Sequence, residues 1–229
     1  YPVTIRVSRE GYLKKLTERV LRTNAEHKYK DGDAPWLEIE SNNAHELLVL
    51  TNNGQCYKCK VAAFEDTKSA QLGAYLPTEL QFDQDESIAW VLDPGDYKHS
   101  VLYCFENGRV ARVALSGYAT KQNRKKLKNA LYTGSPLLWA RILTDDCEIA
   151  LCSSDNRVVA FNTELLRTKT TNNTQGVQAL SIKGTRHVIA VGNLEEFVGA
   201  AADLDRFRAA SLPSPGYPIR EQDQKSLFE

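Results

Sequence analysis

The chain has 229 residues, 42% of them hydrophobic and 25% charged, with 29 basic residues balanced by 29 acidic ones. This is the composition of a globular protein with room for one sizeable core or two small ones. No run approaches the roughly 20 apolar residues of a membrane span, the opening Tyr1-Pro2-Val3-Thr4 lacks the order of a signal peptide, and zero net charge excludes a uniformly basic surface.

Met is absent throughout, so a fragment or processed form of a longer protein is expected. Glu10-Gly11 is the first of four two-residue turn signals between apolar runs; Asn53-Gly54, Asn107-Gly108 and Asp155-Asn156 follow. Such pairs supply the positive φ angles of a tight hairpin. Their second residues lie 43, 54 and 48 positions apart. A period near 50 with β character points to propeller blades, although repeats at this spacing also suit a sandwich.

The first unit, about 1–44, pairs Ile5 and Val7 with Leu13 across its turn, and Trp36-Leu37-Glu38-Ile39 forms a further strand. The second, 45–98, repeats this with Leu48, Leu50 and Cys56, then Trp90-Val91-Leu92. The third, 99–146, uses Leu102, Cys104 and Val110, then Trp139-Ala140-Arg141-Ile142. The fourth, 147–193, uses Ala150, Cys152 and Val158, and His187–Gly192 is its further strand. In every unit these side chains lie six and four residues before the turn and two after it, the even offsets of one buried face. Beyond 193, Asn193 would cap a helix over Leu194–Ala210 with Glu195 and Glu196 in its first turn. Pro213, Pro215 and Pro218 then predict an extended or disordered end, making 194–229 a polar acidic tail.

Charge follows the repeat. Residues 1–30 hold eight basic and three acidic residues, and 97–128 hold eight basic and one acidic. Residues 65–96 hold one basic and eight acidic. Four residues after the turn stand Lys15, Lys58, Arg112 and Ala160, and the densest run is Lys121–Lys128. Equivalent segments of stacked repeats share a surface, so a basic rim is expected. Its candidates are Lys14, Lys15, Arg22, Lys58, Lys60, Arg109, Arg112, Lys121, Arg124, Lys125, Lys126, Lys128, Arg157, Arg167 and Lys169. Such a rim would neutralise phosphates of double-stranded DNA and bend it, without reading bases. The alternative is a propeller that binds a protein partner.

Catalytic constellations are missing. The four His are scattered, and neither a Walker loop nor a G-x-S-x-G elbow occurs. Cys56 and Cys59 form a lone C-x-x-C, but on a strand an odd offset sends them to opposite faces, which suits neither zinc nor redox chemistry. Five Cys without a secretory signal predict reduced thiols in the cytoplasm.

The units of apolar run, turn Gly and Tyr-x-Lys-Lys resemble those of the C-terminal domain of bacterial type IIA topoisomerase A subunits. The opening Val3–Lys15 carries this most specifically, with Asn156–Thr163 and Thr174-Gln175-Gly176-Val177 in support. The resemblance implies an all-β pinwheel, a propeller variant of about four to five four-stranded blades that exchange strands and carry DNA on a basic rim. It implies a parent enzyme that passes one duplex through another with ATP and Mg bound by other domains and a partner B subunit. Cleavage would fall to a Tyr outside this chain, so none of its ten Tyr takes that role. The gyrase box Q-R-R-G-G-K-G is replaced by Asn24-Ala25-Glu26-His27-Lys28-Tyr29-Lys30, which makes the chain more similar to topoisomerase IV.

Overall fold

The structure is a computed structural model, and it describes residues 1–120, 124–199 and 202–224. In chain order the strands are β1 (Pro2–Ser8), β2 (Tyr12–Thr17), β3 (Pro35–Asn42), β4 (Glu46–Thr51), β5 (Cys56–Lys60), β6 (Ala74–Tyr75), β7 (Ile88–Leu92) and β8 (Ser100–Phe105). They continue with β9 (Arg109–Ala114), β10 (Lys126–Leu127), β11 (Leu137–Leu143), β12 (Glu148–Ser153), β13 (Arg157–Asn162), β14 (Val177–Gln178), β15 (Val188–Gly192) and β16 (Tyr217–Pro218). Among the described residues these make four antiparallel sheets of four strands each.

Every predicted hairpin forms. β1 pairs with β2, β4 with β5, β8 with β9 and β12 with β13. Gly11, Gly54, Gly108 and Asn156 all take positive φ, at 103°, 83°, 82° and 59°. Asn is one of the few non-Gly residues that tolerates this region. A hydroxyl three residues before that position fastens three of the turns. Ser8 accepts from the Tyr12 N–H, Thr51 donates to Asn53 and to the Gln55 carbonyl, and Ser153 donates to Asp155. The Trp-bearing segments form β3, β7 and β11 beside the first hairpin strands, and β15 takes that place in the fourth sheet.

The fourth strand of each sheet comes from further along the chain. Sheet 1 runs β3-β1-β2-β6, sheet 2 runs β10-β5-β4-β7, sheet 3 runs β11-β8-β9-β14 and sheet 4 runs β15-β12-β13-β16. The excursions after the second, third and fourth hairpins therefore complete sheets 1, 2 and 3, and the C-terminal segment completes sheet 4. Glycines at positive φ introduce three of these donated strands, namely Gly73, Gly176 and Gly216. A Cβ on Gly176 would collide with the Val110 carbonyl, and one on Gly73 with the Leu13 carbonyl. Only glycine lets the donated strand approach so closely.

The chain divides into two compact units, residues 1–96 with 120–131 and residues 97–119 with 132–229. In the first, Ile5, Val7 and Leu13 of sheet 1 pack on Leu47, Val49 and Tyr57 of sheet 2. Trp36 meets Trp90 edge to face at 5.6 Å, joining the two sheets. In the second, Leu102, Cys104 and Val110 of sheet 3 pack on Ile149, Leu151, Val159 and Phe161 of sheet 4. One four-stranded sheet per repeat, each completed by a strand from further along the chain, is the blade arrangement of a propeller and not that of a sandwich.

The C-terminal segment departs from expectation. Residues 194–196 form a single 3-10 turn, and another spans Leu204–Phe207. The Glu196 carboxylate does accept from the Asn193 N–H, as a capping residue should. The helix stops because the Gly199 N–H turns to the Asp223 carbonyl, and Leu194 and Val198 are drawn onto sheet 4. Pro218 stands at the sheet edge, where the missing N–H costs no ladder bond.

Candidate nucleic-acid interface

The hairpin cations lie mostly inside. Lys14 and Lys15 are 2% and 3% exposed, which corrects their assignment to an open rim. Lys14 Nζ donates to the Lys28 carbonyl at 2.6 Å and lies 4.6 Å from the Tyr29 ring, so it holds the first excursion against sheet 1. Burial and the Arg6 charge press its pKa below the usual lysine range. His27 beside it is lowered likewise by burial, then by Arg6 and Lys14. Lys15 Nζ meets Asp66 of the second repeat at 3.1 Å and Asn43, at the end of the first, at 2.8 Å.

Arg112 plays the corresponding part in the second unit. Its guanidinium donates to Asp146 at 2.6 Å, to the Thr163 carbonyl at 3.0 Å and to Ser100 at 3.1 Å. The bonds from Arg112 and Thr163 hold the Asp146 carboxyl below its usual range. Lys58 donates to Thr120 at 3.2 Å. The basic residue four after the turn thus ties its hairpin to the repeat that follows. This explains the fourth member, Ala160, whose backbone is instead covered by Arg208 and Ala209.

Arg109 and Arg157, one residue after their turns, are also drawn into the framework. Arg109 donates to the Gly176 carbonyl and Arg157 to the Gly216 carbonyl, each at 3.2 Å. Both therefore clamp the glycine that leads in a donated strand. Lys126 is half-buried over the Tyr57 ring and lies 3.5 Å from Asp83.

The exposed candidates lie chiefly on the excursions. Arg124, Lys125 and Lys128 flank β10, and Arg167 and Lys169 precede β14. Arg22 is exposed next to Glu18, and Lys60 ends β5 in the open. Lys121 lies outside the described residues.

Backbone bonds give these excursions a common register. The Thr67 N–H donates to the Lys15 carbonyl, the Lys58 N–H to the Lys125 carbonyl, the Lys169 N–H to the Arg112 carbonyl and the Ala209 N–H to the Ala160 carbonyl. Each contact uses the residue four after a turn. At or beside each contact stands a cation exposed to solvent: Lys68, Lys125, Lys169 and Arg208. Sequence reasoning missed Lys68 and Arg208 because both sit in windows with an acidic balance. Their signal was positional, since Lys68 shortly precedes Gly73 and Arg208 precedes Gly216.

The remaining chemistry is quiet. Among the described residues, no cluster of three or more His, Cys, Asp or Glu could hold a metal ion. All five Cys are free, and burial raises Cys56 and Cys104 and pushes Cys59 up to about 12, so their reactive thiolates are suppressed. Among the described residues, no helix is long and apolar enough to cross a membrane.

Four sheets completed by donated strands define the fold class as the β-pinwheel. The C-terminal domain of DNA topoisomerase IV shares this fold at a TM-score of 0.69 and 20% identity, over 83% of this chain and 60% of that one. The C-terminal domain of E. coli ParC matches at 0.64 and 15% identity, over 83% of this chain and 78% of that one. That of DNA gyrase A matches at 0.62 and 16%, over 98% and 80%. In sequence, the chain's homologues are A subunits of DNA topoisomerase 4. That of Staphylococcus epidermidis is 23% identical and that of Staphylococcus aureus 22%, each over 85% of this chain. The chain spans about a quarter of the length of these curated relatives, 25% in each case. No family model matches.

Proposed function

We propose that this chain is an accessory DNA-binding domain of a type IIA topoisomerase, of the topoisomerase IV kind, and that it holds and bends duplex DNA without reading its sequence. The observation that carries this reading is the recurrence of a solvent-exposed cation at, or one residue from, the equivalent backbone contact on successive donated segments. A polyanion with regularly spaced charges is the partner that fits a repeated cation. Base-reading elements are not needed for such contacts, which act through phosphate charge and counterion release. Bending follows if phosphates track cations from one sheet to the next, at a cost of a few kcal/mol offset by the added contacts.

Strand cleavage, ATP and Mg would belong to other parts of the parent enzyme and to a B subunit. The segment 24–33, with Lys28 and Lys30 in place of a fuller basic box, favours a topoisomerase IV role over supercoiling. Five free thiols suit a reducing cytoplasm.

The test is duplex binding by the full chain across a salt series. Replacing Lys68, Lys125 and Lys169 together by Ala should flatten the slope of log affinity against log salt by about 2.7, at about 0.9 per lost phosphate contact. A wild-type affinity that does not change with salt, or a triple variant with the parent slope, would overturn the proposal. Retained binding to a protein partner without DNA affinity would select the interaction-module alternative.

A further inference from the structure

The apolar residues six and four before the turn and two after it face the next sheet in both units. In sheet 1 they meet sheet 2, and in sheet 3 they meet sheet 4. In sheet 4 the same positions are Ala150, Cys152 and Val158, and they meet Leu194, Val198 and Phe207 of the C-terminal segment. The segment therefore stands where a next sheet would stand. It also completes sheet 4 through β16.

The exposed cation that this segment lays beside Ala160 meets acid from two sides, Asp205 of the segment itself and Glu148 of β12. Arg208 donates to both Glu148 oxygens, at 2.8 and 3.4 Å, and to Asp205 at 2.7 Å. Its other arginines are occupied as well. Arg206 lies 3.7 Å from the buried Asp223 and 5.4 Å from the Tyr217 ring, and Arg220 stacks on the same ring at 5.5 Å. By contrast, Lys169, whose N–H donates to Arg112 on sheet 3 as that of Ala209 donates to Ala160 on sheet 4, has no acidic partner among the described residues.

We infer that the C-terminal segment is a terminator: it fills the face of sheet 4 in place of a further blade and neutralises Arg208, so that the set of DNA contacts in this unit ends at sheet 3. The inference rests on the proposed DNA reading. A cation held by two carboxylates has no net positive charge to offer a phosphate, and the cluster would have to be broken before DNA could bind there.

The experiment compares three forms of the full chain in duplex binding across salt. They are the E148Q/D205N double variant, R208A, and the triple combination of all three changes. Neutralising the two acids frees Arg208, so the double variant should bind several-fold more tightly at low salt, with a slope steeper by about 0.9. R208A alone should leave the parent slope unchanged, and added to the double variant it should abolish the gain. A double variant with the parent slope overturns the inference, as does R208A flattening that slope by about one contact. In either case salt-dependent wild-type binding leaves the DNA reading standing. Wild-type binding that ignores salt removes both. Thermal unfolding of each form confirms that sheet 4 is intact.

Discussion

On the hairpins, Lys14, Lys15 and Arg112 turn inward and spend their charge on carbonyls, Asn43, Asp66 and Asp146. On the segments laid against those hairpins, Lys68, Lys125 and Lys169 stand in solvent. Backbone hydrogen bonds at Lys15, Lys58 and Arg112 hold those segments against the hairpins. The difference shows that a repeated basic residue has two unrelated explanations in a stacked-sheet protein. One set couples a sheet to the repeat that follows, and the other is available to a ligand. Burial, not recurrence, separates them.

The sharpest way to break the comparison is to detach a donated segment from its hairpin. Gly176→Ala forces a Cβ against the Val110 carbonyl at a φ of 65°. It should release β14, lower the melting temperature by several degrees and raise amide exchange at Val177 and Gln178 more than elsewhere. DNA binding should fall with it, because Lys169 rides on the same segment. Unchanged exchange at those two amides would show that the strand is not held as described.

Next in size is Arg112→Met, which removes a half-buried cation but keeps most of its apolar length. It breaks a charge-assisted bond to Asp146 and takes one of two donors from the Thr163 carbonyl, which keeps the Leu166 N–H. A loss of about 2 kcal/mol in denaturant unfolding is expected, the magnitude of hydrogen bonds to charged groups. The salt slope of the remaining DNA binding should stay at the parent value. A slope flattened by about 0.9 with no loss of stability would return Arg112 to the rim.

The smallest expected effect concerns acid. The carboxyl of Asp146 is held below its usual value of 3.8 by Arg112 and Thr163. A depressed carboxylate contributes stability that is complete above the unfolded value and is lost as pH falls through the folded one. Asp146→Asn should therefore cost stability at neutral pH and narrow its gap to the parent below about pH 4. Unfolding midpoints measured from pH 7 to pH 2.5 would check the convergence, and a constant gap would count against the Arg112 tie.

The hairpins were legible in the sequence because they obey local rules. Positive-φ pairs fix the turns, and period-two alternation fixes Ile5, Leu48, Leu102 and Ala150 on one face. What the sequence concealed was where each excursion lands. Lys68 sits in a tract of eight acidic residues, yet the chain lays it on sheet 1 beside Lys15. Charge counted along the chain mixes residues that belong to different sheets. Lys15 could be read as basic and recurrent, but its burial depends on Asn43 and Asp66, far away in sequence. The run of Arg109 and Arg157 misled for a related reason, since their partners are carbonyls, which composition does not reveal. Ala160 was the one informative exception, marking the hairpin that meets Arg208 and Ala209 through backbone alone.

Strand donation also fixes the order in which a nascent chain can mature. The first hairpin leaves the ribosome long before Ala74 and Tyr75, so its outer edge must wait, unpaired, for roughly sixty more residues of synthesis. The same delay recurs at each repeat, and the last is relieved only when Tyr217 and Pro218 emerge. A translation product that stalls after the first hairpin and before that point carries at least one hairpin still without its donated strand, and such edges invite pairing with other chains.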